Sequence, residues 1–94
     1  MSYIRYKNNN LFVENVSVRR LASKFNSPFY LYSEGSIVEN YKLFSNNFKR
    51  SNPLICFSVK ANSNIQILKV LKKMGSGADV VSGGELLKAI KSGI

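Results

Sequence analysis

The architecture of this chain follows from one segment, Leu54-Ile55-Cys56-Phe57-Ser58-Val59-Lys60-Ala61-Asn62-Ser63-Asn64. Its first six residues are mostly apolar and do not alternate, which predicts a strand covered on both faces. The strand runs out at Lys60, and an unpaired cation is costly inside a protein. Lys60 therefore either reaches solvent or is held as a nucleophile for carbonyl compounds. The segment alone leaves both interpretations open.

The residues after this segment repeat a helix and then a strand. Ile67 to Met74 carries apolar residues at helical spacing, and Gly75 follows where a glycine cap ends helices. Residues 78–81 predict a second short buried strand, and residues 85–91 predict a helix that stops at Gly93. The order strand, helix, strand, helix with short connections indicates an α/β fold with a parallel sheet.

The chain begins with a predicted hairpin and a helix. Residues 3–6 and 11–13 are rich in β-prone side chains, and residues 7–10 between them are typical of a turn. Ser17 is placed to cap a helix whose apolar positions continue to Phe25.

A strand and a longer helix are predicted next. Phe29-Tyr30-Leu31-Tyr32 is the strand candidate, and the helix covers residues 36–48. Ser36 and Glu39 have the spacing of a capping box at the start of that helix. Residues 51–53 end it, since they include a proline.

Composition narrows the class of protein. The formal charge of +9 comes from 14 Lys and Arg against 5 Asp and Glu, but the cations are scattered, so a nucleic-acid-binding module remains only an alternative. A chain without histidine and with the single cysteine Cys56 predicts no metal site. Cys56 is expected to be a small buried hydrophobe in a cytoplasmic protein, and we expect no signal peptide, membrane span or membrane partner.

Polar residues collect where the two predicted parallel strands end. Lys60 ends the first strand, with residues 62–63 after it, and residues 82–84 follow the second strand. Asp79 lies within that strand, and Glu85 opens the next helix. An amine, a carboxylate and small polar residues at adjacent strand ends suit Schiff-base chemistry. On the residues alone, the functional assignment is only suggested, and Lys60 as a solvated cation and Glu85 as a helix-dipole partner are the favoured interpretations.

Two long runs carry a resemblance to a known family. They are Cys56-Phe57-Ser58-Val59-Lys60-Ala61-Asn62-Ser63-Asn64 and Gly75-Ser76-Gly77-Ala78-Asp79-Val80-Val81-Ser82-Gly83-Gly84-Glu85-Leu86, with shorter matches at residues 11–14, 21–22 and 28–33. The chain resembles the diaminopimelate decarboxylases, of the fold-type-III, alanine-racemase-like group of pyridoxal-phosphate enzymes. The resemblance implies that Lys60 is the catalytic lysine that bonds to the pyridoxal 5'-phosphate cofactor, and that Asp79 and Glu85 support cofactor binding.

The resemblance also implies an architecture. Residues 35–94 would be the first part of a TIM-like (βα)8 barrel that binds the cofactor, with Lys60 at the end of its first strand. Residues 1–34, with the hairpin, would pair with a C-terminal β domain. Because two βα units leave both sheet edges uncovered, we expect the chain to be an N-terminal portion of a larger protein or to need partner chains, and to be inactive and poorly stable alone.

The implied activity is decarboxylation of meso-2,6-diaminopimelate to L-lysine and CO2 in lysine biosynthesis, by a homodimer in the full-length family enzyme. One alternative is a decarboxylase for another basic amino acid. An alternative of a different class is a small protein that carries pyridoxal phosphate without turnover or binds nucleic acid, although we expect no nucleic-acid partner.

Overall fold

The computed structural model describes residues 2–94 and divides the chain into two compact units, Met1–Ser36 and Ile37–Ile94. Its elements in chain order are β1 (Ile4–Lys7), β2 (Asn10–Val13), β3 (Val16–Ser17), α1 (Val18–Lys24), α2 (Glu34–Asn47), β4 (Cys56–Ser58), α3 (Ile65–Lys73), β5 (Gly77–Asp79) and α4 (Gly83–Ser92), with short 3-10 turns at Lys49–Ser51 and Val59–Ala61. In residues 2–94, no helix has the length and apolar character needed to span a bilayer.

The predicted hairpin is confirmed in the first unit. Strands β1 and β2 pair antiparallel from Ile4 opposite Val13 to Lys7 opposite Asn10. The turn between them is only two residues long, and both are asparagines with positive φ, which this residue tolerates better than most. A third strand that the pattern did not predict, β3, pairs with β2 and completes a three-stranded sheet.

The cap of α1 is also confirmed. The Ser17 side chain accepts a hydrogen bond from the backbone N–H of Arg20 at 3.3 Å, as an N-cap serine does. The strand predicted at residues 29–32 is wrong, because these residues lie outside helices and strands. Their β-prone side chains find no strand partner within residues 2–94, and Tyr30 is 88% exposed.

Helix α2 begins at Glu34, and the capping box predicted at Ser36 and Glu39 is wrong. Ser33 is the residue whose side chain accepts from the backbone N–H of Ser36, at 3.0 Å. The Ser33 hydroxyl in turn donates to the Glu14 carboxylate at 2.9 Å, and the same carboxylate oxygen accepts from the Gly35 N–H at 3.3 Å. A contact with a residue 19 positions earlier therefore holds the start of this helix.

In the second unit, β4 and β5 are parallel, which confirms the predicted βα repetition. The loop glycine Gly75 has a φ of 92° and ends α3 in a Schellman motif, in which Gly75 N–H bonds to the Lys72 carbonyl and Ser76 N–H to the Leu71 carbonyl. Helix α4 ends in the same motif, in which the Gly93 N–H bonds to the Ile90 carbonyl and the Ile94 N–H to the Ala89 carbonyl. The terminal glycines were therefore correct signals for both helix ends.

The core of this unit is small. Val59 and Leu68 have no exposed surface, and Ile67, Leu71 and Ala89 are also buried where α3 packs on α4. Burial of apolar surface here is the main contribution to the stability of the unit.

Two burial predictions are wrong. Cys56 is exposed rather than a small buried hydrophobe, and Leu54 is 76% exposed, outside β4. A strand covered on both faces needs a layer on each side. The described residues bury Val59, after the end of β4, but leave Cys56 and Leu54 exposed. Similarly, β5 ends at Asp79, and Val81, which was predicted to be buried, is 68% exposed.

Candidate active site

The parallel pairing of β4 and β5 brings the two predicted strand ends to one edge of the sheet. Ser58 is the register partner of Asp79, so Lys60 and the loop after Asp79 leave the sheet side by side. The carboxyl ends of parallel strands are where α/β proteins assemble their sites, because loops from neighbouring units converge there.

Lys60 lies in the 3-10 turn Val59–Ala61, which we call the lysine turn. Val59 is fully buried and anchors the start of the turn, and the Asn62 N–H closes it by donating to the Val59 carbonyl at 3.1 Å. Lys60 itself is exposed, and within residues 2–94 its side chain has no hydrogen-bond partner. The lysine thus combines a fixed backbone with an amine that other molecules can reach.

The polar residues after Lys60 shape the path into α3. The Asn62 side-chain oxygen accepts from the Asn64 N–H at 3.1 Å, and the Asn64 side-chain oxygen accepts from the Gln66 N–H at 2.9 Å. The first bond closes an Asx turn, and the second is the N-cap of α3. These two asparagines are therefore occupied with holding the exit from the lysine turn.

The two predicted acidic residues have different surroundings. Asp79 is the exposed last residue of β5. Glu85 accepts a hydrogen bond from the Val81 N–H at 3.2 Å through Oε1, while its own N–H donates to the Ser82 side chain at 3.1 Å. This reciprocal arrangement caps α4, and the Ser82-x-x-Glu85 spacing could have identified it from the sequence. One carboxylate oxygen of Glu85 is thereby engaged in a structural role.

A side-chain pair that the pattern gave no reason to expect joins the two βα units. Lys88 of α4 donates through Nζ to the Ser63 hydroxyl, in the loop after the lysine turn, at 3.1 Å. The two residues are 25 positions apart, so no local spacing could have indicated the contact.

The loop that opens α4 has room beside it. A Cβ built on Gly83 would meet no atom within 4 Å, and one on Gly84 would meet only the Ser82 hydroxyl at 4.0 Å. The edge that carries Lys60 and Asp79 thus combines an accessible amine, an exposed carboxylate and a loop that a ligand can approach. Such a set can bind a carbonyl compound covalently and exchange protons with it.

The residues at this edge of the sheet fall within a region that matches known proteins. A family profile described as "Pyridoxal-dependent decarboxylase, pyridoxal binding domain" matches residues 34–94. Diaminopimelate decarboxylase of Aquifex aeolicus is 45% identical over 92 residues, which are 98% of this chain and 21% of that protein. The chain spans about a fifth of the length of the curated relatives it matches.

Solved structures give the same picture. The crystal structure of diaminopimelate decarboxylase from M. jannaschii has a TM-score of 0.91 and 37% identity, and covers 98% of this chain and 23% of its own. A complex of the M. jannaschii enzyme with L-lysine has a TM-score of 0.89 at 37% identity, and covers 97% of this chain and 22% of its own. At this identity and overlap, the chain shares the fold of the N-terminal part of these enzymes.

Proposed function

The chain belongs to the pyridoxal-dependent decarboxylase family, and on that premise we propose that the protein decarboxylates meso-2,6-diaminopimelate to L-lysine and CO2 with pyridoxal 5'-phosphate as its cofactor. The observation that carries the proposal is the position of Lys60, an accessible amine on a fixed turn at the carboxyl end of β4. The names of the relatives support diaminopimelate as substrate, and the L-lysine complex of one of them matches the proposed product.

The residues present fit the cofactor. Pyridoxal phosphate is an aldehyde, and Lys60 offers an exposed primary amine on a backbone that buried Val59 holds in place. A Cβ built on Gly83 meets no atom within 4 Å, so a ligand can approach the backbone of this loop closely. When bound, the pyridinium ring of the cofactor supplies an electron sink for decarboxylation.

The acidic residues have supporting roles in this proposal. Asp79 ends the strand next to the one that precedes Lys60, and its exposed carboxylate is available to favour the protonated form of a nearby nitrogen. Glu85 caps α4 with one oxygen, which fixes its carboxylate near the start of that helix and leaves the other oxygen for the cofactor. Lys60 remains the residue that bonds to the cofactor.

The architecture proposed for the protein is that of a TIM-like (βα)8 barrel, with residues 35–94 as its first part. Residues 1–34 would pair with a C-terminal β domain, and the active form would be a homodimer. Support comes from the parallel β4–β5 pair, from the helices α3 and α4 that follow its two strands, and from the separate antiparallel sheet of the first unit.

The test is chemical capture of the cofactor. The chain is incubated with pyridoxal phosphate, reduced with borohydride and digested, and the pyridoxylated peptides are quantified by mass spectrometry. We expect the Lys60 peptide to dominate and Lys60→Ala to remove it, while Lys69→Ala, an exposed lysine of α3, leaves it unchanged. Equal labelling of all exposed lysines would refute the assignment of Lys60.

The substrate is tested on the protein as the cell makes it, by CO2 release. We expect meso-diaminopimelate to be turned over with a kcat/KM well above that of L-ornithine, L-arginine and L-lysine. Faster release from one of these three would replace the proposal with the alternative of a decarboxylase for another basic amino acid.

A further inference from the structure

The hydrogen bond between Lys88 and Ser63 links the helix of the second βα unit to the loop of the first. Ser63 is half-buried and immediately follows the residue that closes the lysine turn, and Lys88 lies in the middle of α4. Helix α4 also contacts the lysine turn itself. The bond therefore connects the segment that follows Lys60 to helix α4.

The two ends of the lysine turn differ in burial. Its start is anchored by Val59, which is fully buried, whereas Ala61 is exposed. After Ala61, the Asn62 N–H bonds to the Val59 carbonyl and the Asn62 side chain to the Asn64 N–H, and both bonds are local. The bond from Lys88 is the side-chain hydrogen bond that attaches this end, within residues 2–94, to another helix.

We infer that Lys88 is a positioning residue for Lys60. By holding Ser63 against α4, it raises the fraction of molecules in which the lysine turn has the conformation that presents the amine. The consequence for pyridoxal phosphate rests on the proposed function, but the effect on the Lys60 amine does not. The apparent affinity of a ligand falls in proportion to the fraction of competent conformers. The free energy of the Lys88–Ser63 bond therefore limits how far its loss can weaken binding at Lys60.

The size is modest because both partners are near the surface. A net hydrogen bond at such a place corresponds to about a three-fold to five-fold change in an equilibrium. If only the positive charge of Lys88 mattered, removing another lysine of α4 should weaken binding at Lys60 by a similar factor. Lys91 carries the same charge in the last turn of α4 and has no side-chain hydrogen bond within residues 2–94, which makes Lys91→Met a matched control.

The experiment compares the full chain with Lys88→Met, Lys88→Arg, Ser63→Ala, the double variant Lys88→Met/Ser63→Ala and Lys91→Met. Capture of pyridoxal phosphate at Lys60 is measured by titration and borohydride fixation across a pH series. Acetylation of Lys60 by limiting acetic anhydride is measured by peptide mass spectrometry in parallel. Urea unfolding of each variant gives the range in which all are folded, and only that range is compared.

We expect Lys88→Met and Ser63→Ala each to weaken capture at Lys60 by at most about five-fold, and the double variant to lose no more than either. Lys88→Arg should restore most of the affinity, because arginine also donates from a long flexible side chain. A value for Lys88→Met equal to that for Lys91→Met, or additive losses in the double variant, would overturn the inference.

The two proposals fail in distinguishable ways. If the unsubstituted chain captures no pyridoxal phosphate selectively at Lys60, the proposed cofactor role of Lys60 is wrong. The inference is then decided by acetylation of Lys60. A change shared by Lys88→Met and Ser63→Ala and absent in Lys91→Met supports it, and identical acetylation in all variants overturns it.

Discussion

The strand pair that aligns Ser58 with Asp79, and so brings Lys60 to this edge, depends on a close approach between Gly77 of β5 and Cys56 of β4. These residues are register partners, and a Cβ built on Gly77 would lie 2.8 Å from the Cys56 sulfur. Non-bonded atoms of this kind prefer separations of about 3.5–4.0 Å. Gly77→Ala therefore forces the sulfur, or one of the strands, to move by roughly 1 Å.

The expected cost combines two opposing effects. Overpacking costs typically 1–3 kcal/mol, and the lower end applies because the exposed Cys56 side chain can leave its rotamer for about 0.5–1.5 kcal/mol. Replacing glycine also restricts the unfolded chain, which stabilises by about 0.4–1 kcal/mol. We expect Gly77→Ala to lower the free energy of unfolding by about 0.5 kcal/mol, or Tm by about 2–4 °C for a domain of this size.

Removing the Cys56 sulfur should abolish or reverse the destabilising effect of Gly77→Ala. In a Cys56→Ala background the alanine at position 77 meets only Leu54 atoms, at 3.6 and 3.8 Å, which is ordinary contact. Gly77→Ala should then be neutral or stabilising, which gives a coupling free energy of about 1–2 kcal/mol between the two sites. Gly83→Ala is the control, since its Cβ would meet no atom within 4 Å.

The assay is urea unfolding followed by circular dichroism for the four variants of the cycle, with the labelling rate of the Cys56 thiol by a maleimide as a second readout. Displacement of the sulfur by Gly77→Ala should change that rate without any change at Gly83→Ala. Additivity of the two substitutions within about 0.5 kcal/mol would show that the close approach does not exist and would refute the reasoning.

Two further predictions concern the ends of the helices that support the site. Gly75→Ala should lower the free energy of unfolding by about 1 kcal/mol, because the φ of Gly75 is 92° and therefore left-handed, although a Cβ there would meet nothing within 4 Å. Gly83 is equally uncrowded but has no positive φ, so Gly83→Ala should leave the free energy of unfolding unchanged. Equal urea midpoints for the two variants would contradict this. Ser82→Ala should cost about 1 kcal/mol by removing the N-cap of α4, while Ser82→Asp keeps an oxygen acceptor and most of the stability; circular dichroism in urea checks both, and an unaffected Ser82→Ala would show that Glu85 alone suffices as a cap.

The parts of the fold that were predictable depend on bonds between near neighbours. Ser17 caps α1 through a bond to Arg20, and Gly75 and Gly93 end α3 and α4 through bonds to the preceding turn. In each case the two bonded residues lie within about five positions of each other, so a short segment of sequence is enough to predict the bond.

The wrong predictions share a different cause. Ser36 had the better local spacing for a cap, yet Ser33 caps α2, and its hydroxyl bonds to Glu14 in the turn between β2 and β3. Cys56 is in an apolar run, yet it is exposed because no layer of the described residues covers that part of β4. Both outcomes depend on which surfaces meet, and the hydrophobic pattern of a single segment does not contain that information.

The candidate site divides in the same way. By itself the sequence determined the βα order, the lysine at the end of an apolar strand and the family, since periodicity and motif spacing are properties of the linear chain. Tertiary structure alone decided that Ser58 aligns with Asp79 and that Lys88 reaches Ser63. The physical reason is that hydrogen bonds and packing act over a few ångströms of space, and folding brings residues 21 to 25 positions apart within that range.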